Sequence, residues 1–135
     1  MLEAYSKNVA ISEANTSIPL NSVAVLKGNS SSLQGTASVI LNKCGVYKVD
    51  VTANVTASAV GTLSVQLKKN GALVENAIAE CESAADTEYN LHFSTIVQVS
   101  SNNTNCPCSI PTVIEVVCGA VATVNMFDVI IDKIV

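Results

Sequence analysis

Apolar and polar residues alternate along most of the chain. In "VYKVDVTANVTA", Val49, Val51, Ala53 and Val55 fall on one side and Lys48, Asp50, Thr52 and Asn54 on the other. A period of two belongs to a strand with one face buried and one wet, the pattern of antiparallel sheets. "TLSVQLKK" repeats it, setting Leu63, Val65 and Leu67 against Ser64, Gln66 and Lys68. Asn70-Gly71 follows at once. A type I′ turn needs positive φ at both central residues, which Asn and Gly tolerate best. "ALVENAIAEC" is therefore read as the returning strand, although its Ala and Glu also suit a helix. "YNLHFSTIVQVS", "VIEVVCG" and "ATVNMFDVIIDKIV" continue the strand pattern. Upstream, "SVAVLKGN" and "TASVILNKCG" flank a turn at "NSSSLQG". "EAYSKNVAI" is read as an edge strand, and Pro19 confines "TSIPL" to an edge or a strand start. The sum is about eight to ten strands and no helix, at the short spacing of an antiparallel β-sandwich or barrel.

Composition sharpens this picture. The 135 residues fit one domain and are 49% hydrophobic but only 4% aromatic, so the core is built from Val, Ala, Ile and Leu. Charged residues make up 13%, roughly half the usual share of about 25%. So sparse a charge predicts extensive burial, part of it against other subunits. All seven basic residues are Lys, scattered except for Lys68-Lys69, and the net charge is −4. No basic stripe exists to neutralise phosphates, which argues against nucleic-acid binding. The N-terminal stretch has neither a basic nor an apolar signal region, and runs such as "VIEVVCGAVATV" are too short to span a bilayer as a helix. Synthesis in a cytoplasm without export, and no membrane insertion, are the expectation.

The order of the motifs carries a resemblance. Gly45-x-Tyr47 opens one strand, Asn70-Gly71 ends the next, "YNLHFSTIVQVS" follows, and "VNMFDVIIDKIV" closes the chain. From Lys43 to Val135 this resembles the jelly-roll superfamily of tumour necrosis factor and the globular heads of complement-type proteins. In composition it is most similar to phage head-fibre or decoration proteins and to heads of bacterial spore-surface collagen-like proteins. The resemblance implies a jelly-roll β-sandwich that assembles as a homotrimer. The last strand agrees, because it is apolar on both alternating faces: Phe127, Val129 and Ile131 on one, Ile130 and Ile134 on the other. A strand apolar on both sides is buried on both sides, so these five residues are the expected contributors to core and trimer interface.

Candidate chemistry is sparse. His92 is the only histidine, with no dyad or ligand set beside it, and reads as a surface or interface residue. Cys106-Pro107-Cys108 sits in a polar loop and is expected to form a thiol pair or a disulfide, including one across chains; zinc would need a second pair nearby. The odd count of five cysteines excludes a closed intrachain framework, and Cys44, Cys81 and Cys118 are expected as reduced, buried thiols. Glu80, Glu82, Asp86 and Glu88 form an acidic loop that reads as solvated rather than as a Ca²⁺ site. Asp128 and Asp132 stand out among apolar neighbours, with a subunit contact or pairing to Lys133 or Lys48 as the candidate explanations. No catalytic constellation, metal site or cofactor motif emerges.

These readings converge on a non-enzymatic assembly protein. The expected role is a trimer on the outer surface of a virion, seated on a major capsid protein or fibre base. Residues 1–21 are expected to be an N-terminal arm or edge strands that attach to the capsid through Leu2, Tyr5, Val9 and Ile11, and residues 22–135 the jelly roll. The alternative is a receptor- or carbohydrate-binding head domain of a phage fibre or bacterial surface protein that takes a host cell-surface glycan, for which Tyr5, Tyr47 and Tyr89 are the available aromatic platforms.

Overall fold

The computed structural model describes residues 1–100 and 112–135, so Cys106 and Cys108 lie outside the described residues. The described strands are β1 (Leu2–Ile11), β2 (Thr16–Ser17), β3 (Ser22–Leu26), β4 (Ser31–Gln34), β5 (Ser38–Leu41), β6 (Gly45–Ala57), β7 (Gly61–Lys69), β8 (Ala72–Ser83), β9 (Glu88–Val99), β10 (Thr112–Cys118) and β11 (Ala122–Lys133). They form two antiparallel sheets: a first in the order β3-β1-β11-β6-β9, and a second in the order β4-β5-β10-β7-β8, with β2 paired to β10. The two sheets stack as a jelly-roll sandwich.

Alternation along the sequence becomes the core. Val49, Val51, Ala53 and Val55 of β6 face Leu63, Val65 and Leu67 of β7 from the opposite sheet, all of them buried. Tyr47 and Phe127 are the largest fully buried side chains. The Tyr47 hydroxyl is not left bare, donating to the Lys43 carbonyl at 2.7 Å and lying 3.2 Å from that of Ser30. This ties the turn before β6 to the core and explains the tyrosine in Gly45-x-Tyr47. The glycine has its own reason: a Cβ at Gly45 would collide with the Val135 carbonyl oxygen, so only glycine lets the C-terminus pass.

The Asn70-Gly71 hairpin has positive φ at both residues, 50° and 85°. Asn70 contributes more than a turn conformation. Its backbone N–H donates to the Val113 carbonyl and its side-chain oxygen accepts from the Val113 N–H, each at 2.8 Å, clamping the hairpin tip to the start of β10.

The N-terminal segment differs from its expectation. β1 is not an edge strand or a detached arm; it lies between β3 and β11, paired to β11 from Leu2↔Ile131 to Ile11↔Ala122. Leu2 and Ile11 are buried in the core and Val9 packs against it, so none of the three is available to a capsid. Only Tyr5 of that set points to the outside. The division at residue 21 therefore dissolves, because a strand inside a sheet cannot act as a free arm. Phe127, Val129 and Ile131 are likewise core residues rather than interface, leaving Ile130 and Ile134 on the outer face. Their alternation was correctly legible, but only the pairing with β6 decides which set faces inward.

β11 carries a register irregularity between Val124 and Met126 against β6. β1 matches it with Asn8 at φ 54°, so the β1–β11 register runs through undisturbed. Below this level the hydroxyl of fully buried Ser6 has no hydrogen-bond partner among the described residues.

Three variants test this architecture by urea midpoint. Phe127→Ala is expected to cost about 3–5 kcal/mol through the cavity it leaves. Ser6→Ala is expected to gain about 1 kcal/mol by removing a buried, unpaired hydroxyl. A chain starting at Ser12 is expected to lose cooperative unfolding, because β3 then has no strand to pair with.

Candidate functional site

The outer face of the first sheet gathers the residues that neither the core nor a turn accounts for. Cross-strand partners share a face, so the register arranges them in rows across β11, β6 and β9. One row is Ile134, Val46 and Gln98, the next Asp132, Lys48 and Ile96, the third Ile130, Asp50 and Ser94, and the fourth Asp128, Thr52 and His92. On the other side of β11, Glu3 lies opposite Ile130 and Tyr5 opposite Asp128, with Val25 of β3 beyond Glu3. Ile130 and Val25 are half-buried, whereas Ile96 and Ile134 are 56% and 49% exposed. Apolar side chains are thus scattered through a polar sheet surface.

The polar groups on this face largely satisfy one another. Asn125, aimed outward by the register irregularity, donates to the Asn54 side-chain oxygen at 2.9 Å and the Thr56 hydroxyl at 2.8 Å. Asn54 in turn donates to Asn90 at 2.7 Å, completing an amide chain over three strands. His92 Nδ1 is 2.9 Å from the Val51 carbonyl oxygen and 3.3 Å from the Thr52 hydroxyl. Lys48 pairs with Asp50 at 4.0 Å, and Lys133 donates to the Val135 carbonyl instead of meeting Asp128.

Asp128 is engaged by Glu3. Loss of water around Asp128 pushes its carboxyl up to about 6, and the hydrogen bond and repulsion from the Glu3 carboxylate add to the shift. When protonated, Asp128 shares its proton with the Glu3 carboxylate, and the pair gives it up as pH rises through about 6. Asp128 was conspicuous in the sequence for its apolar neighbours; Glu3 was not, because it is distant along the chain and becomes a neighbour only through β1–β11 pairing.

Other candidates disperse. Tyr47 is in the core, and Tyr89 packs against the core with its hydroxyl accepting from the Ala84 N–H at 2.8 Å, so neither offers an open ring. Cys44 is disulfide-bonded, contrary to the reduced thiol expected, while Cys81 and Cys118 are free. Cys118 is buried as expected but Cys81 is only half-buried, since it lies on the edge strand β8. Burial pushes both thiols up, aided at Cys81 by the Glu82 charge, which leaves them poor nucleophiles. A cavity of about 320 Å³ opens at one end of the sandwich between Ala57, Val60, Ala120 and Val121, with Thr62 and Ser83 its only hydroxyl-bearing lining residues and no titratable group. Among the described residues no group of three or more His, Cys, Asp or Glu is placed to hold a metal ion.

No family model matches the sequence, and no curated protein sequence matches it. Solved structures do match in shape. The tumour necrosis factor Eiger from S. frugiperda superposes with a TM-score of 0.71 at 15% identity, covering 99% of this chain and 92% of that one. The globular domain of zebrafish complement 1qA gives 0.64 at 10% identity, over 95% and 90%. The phage PRD1 vertex protein P5 gives 0.60 at 13% identity, over 99% and 96%. The fold is the jelly roll of tumour necrosis factor and complement heads. At these identities the likeness is one of fold, and it runs over essentially the whole chain, N-terminal strand included.

The Asp128 shift makes a stability prediction. A carboxyl raised to about 6 from 3.8 favours the folded state fully below about pH 3.8, and that contribution is lost as pH rises through about 6. Asp128→Asn fixes the neutral form. At constant protein concentration it is expected to melt several degrees above the parent at pH 7.5 and at the same temperature at pH 4, read by circular dichroism.

Proposed function

We propose that the chain is a non-enzymatic virion structural protein, a trimeric jelly roll that decorates the outer surface of a bacteriophage capsid. The observation that carries the reading is the outer face of the first sheet. Ile130 and Val25 sit half-buried there, Ile96 and Ile134 are exposed, Lys48 stands by Asp50, and the Asn125, Asn54 and Asn90 amides bond to one another. Amides that already have partners lose little when water is removed, and the apolar residues gain from being covered. A second and third copy of the chain are the occupants proposed for it. The shared fold with a phage vertex protein supports a place on a capsid. With β1 built into the sheet, contact with the capsid protein or fibre base falls to the sandwich ends and edge strands.

The same face favours one competing reading, a glycan-binding head. Asn90 and His92 are exposed, and Tyr5 is the one tyrosine on the outside. The two readings exclude each other in part, since a trimer closed over this face hides it from sugars.

Light scattering on the purified protein is expected to give three times the 14.0 kDa chain mass. Ile130→Lys is expected to yield a monomer with unchanged far-ultraviolet circular dichroism. An antibody to the chain is expected to label intact virions. A monomeric parent that binds a glycan array, with binding lost in Tyr5→Ala, would replace the assembly reading with the glycan one.

A further inference from the structure

The reading of the first-sheet face as a subunit interface leaves one difficulty on the page. Glu3 and Asp128 lie at its centre, on neighbouring strands and diagonal to each other, with Ile130 and Tyr5 as their direct cross-strand neighbours. An interface that covers them takes two carboxyl groups out of water, and burying an unpaired charge is costly. Cations to offset them are few. β1 presents Lys7 at one end of the face and the Met1 ammonium at the other, where it donates to the Lys27 carbonyl. β6 presents Lys48, already engaged by Asp50. β11 adds only Asp132, and β9 adds His92 and Glu88, while β3 brings uncharged Val25 and Ser22 and exposed Lys27 follows Val25 at the rim beside Met1. Among the described residues no cation is paired with either carboxyl group. Repeating the face in several subunits multiplies the negative charge instead of cancelling it. A proton is the neutralising agent this placement admits: shared between diagonal neighbours on one face, it makes Glu3 and Asp128 a single charge with an internal donor.

We propose that assembly through this face takes up protons at the Glu3–Asp128 pair, so that the trimer tightens on acidification. This rests on the assembly reading above. Its direction follows from linkage. Covering the pair removes water and raises its proton affinity further in the trimer than in the free chain. The tightening is therefore complete below the free-chain value, and it is lost as pH rises through the higher value of the assembled state. In the free chain the carboxyl of Asp128 titrates at about 6, which places the change just below and around neutrality.

The test is the concentration at which the trimer half-dissociates, measured by sedimentation or light scattering at pH 7.5 and pH 5.5. Where dilution does not reach dissociation, the urea midpoint for loss of the trimer replaces it. The parent midpoint concentration is expected to be lower at pH 5.5 by about tenfold or more. Asp128→Asn is expected to be tight and insensitive to pH, and Glu3→Gln gives an independent variant should the first fail to fold. Because histidines change charge in the same range, His92→Gln is the control, expected to keep the parent's pH slope. A parent trimer whose midpoint ignores pH, or an Asp128→Asn trimer with the parent's slope, overturns the proton linkage while leaving the trimer standing. A chain monomeric at every pH and concentration overturns the assembly reading and the linkage together.

Discussion

Pairing of β11 with β6, from Ala122 opposite Ala57 to Lys133 opposite Tyr47, fixes which side chains of the first sheet go inward. Each strand is apolar at alternate positions, and a slip of one residue would exchange the two faces. The register chosen puts Phe127, Val129 and Ile131 with Val49, Val51 and Ala53 in the core, and leaves Ile130 beside Asp50 on the outside. β1 then docks on the far edge of β11, and its Leu2 and Ala4 extend the same core. The N-terminal strand, the last strand and the central strand are in this sense one unit, although they are separated by most of the chain.

A chain with few charges has to place each one carefully. On the first-sheet face Lys48 stands by Asp50, Asp128 by Glu3, and the asparagines bond to one another. On the second sheet Glu115 lies opposite Lys68 and accepts from Ser17 and Ser38. The edge strand β8 carries Glu75, Glu80 and Glu82 in exposed positions, which keeps its unpaired backbone from templating another sheet. The two sheets thus differ in what they offer a partner: an acidic, solvated edge on one, and on the other a mixed face of apolar residues, bonded amides and one carboxyl pair.

Much of the fold was legible because its signals are local. Period-two alternation located the strands from β6 onward, and Asn70-Gly71 identified the β7–β8 hairpin against the helical propensity of "ENAIAE" through the positive φ that only such residues accept. The candidate face was legible only in fragments. Ile130, Ile134 and Asp128 were conspicuous on one strand, but Glu3, Val25, Ile96 and the Asn125–Asn54–Asn90 chain come from other strands and carry no local mark. The N-terminal strand was misjudged for the same reason. "EAYSKNVAI" breaks its alternation at Asn8, where β1 follows the irregularity in β11, and its partner lies at the opposite end of the chain.

An antiparallel β-sandwich with an aliphatic core follows from the amino-acid order alone, because side-chain periodicity and turn chemistry are properties of neighbouring residues. So does a last strand that is apolar on both sides. Which of those two sides is the core, the interior place of β1 and the meeting of Glu3 with Asp128 emerge only from long-range strand pairing. Those outcomes depend on register between strands far apart in sequence, and register is set by the packing of the whole sheet.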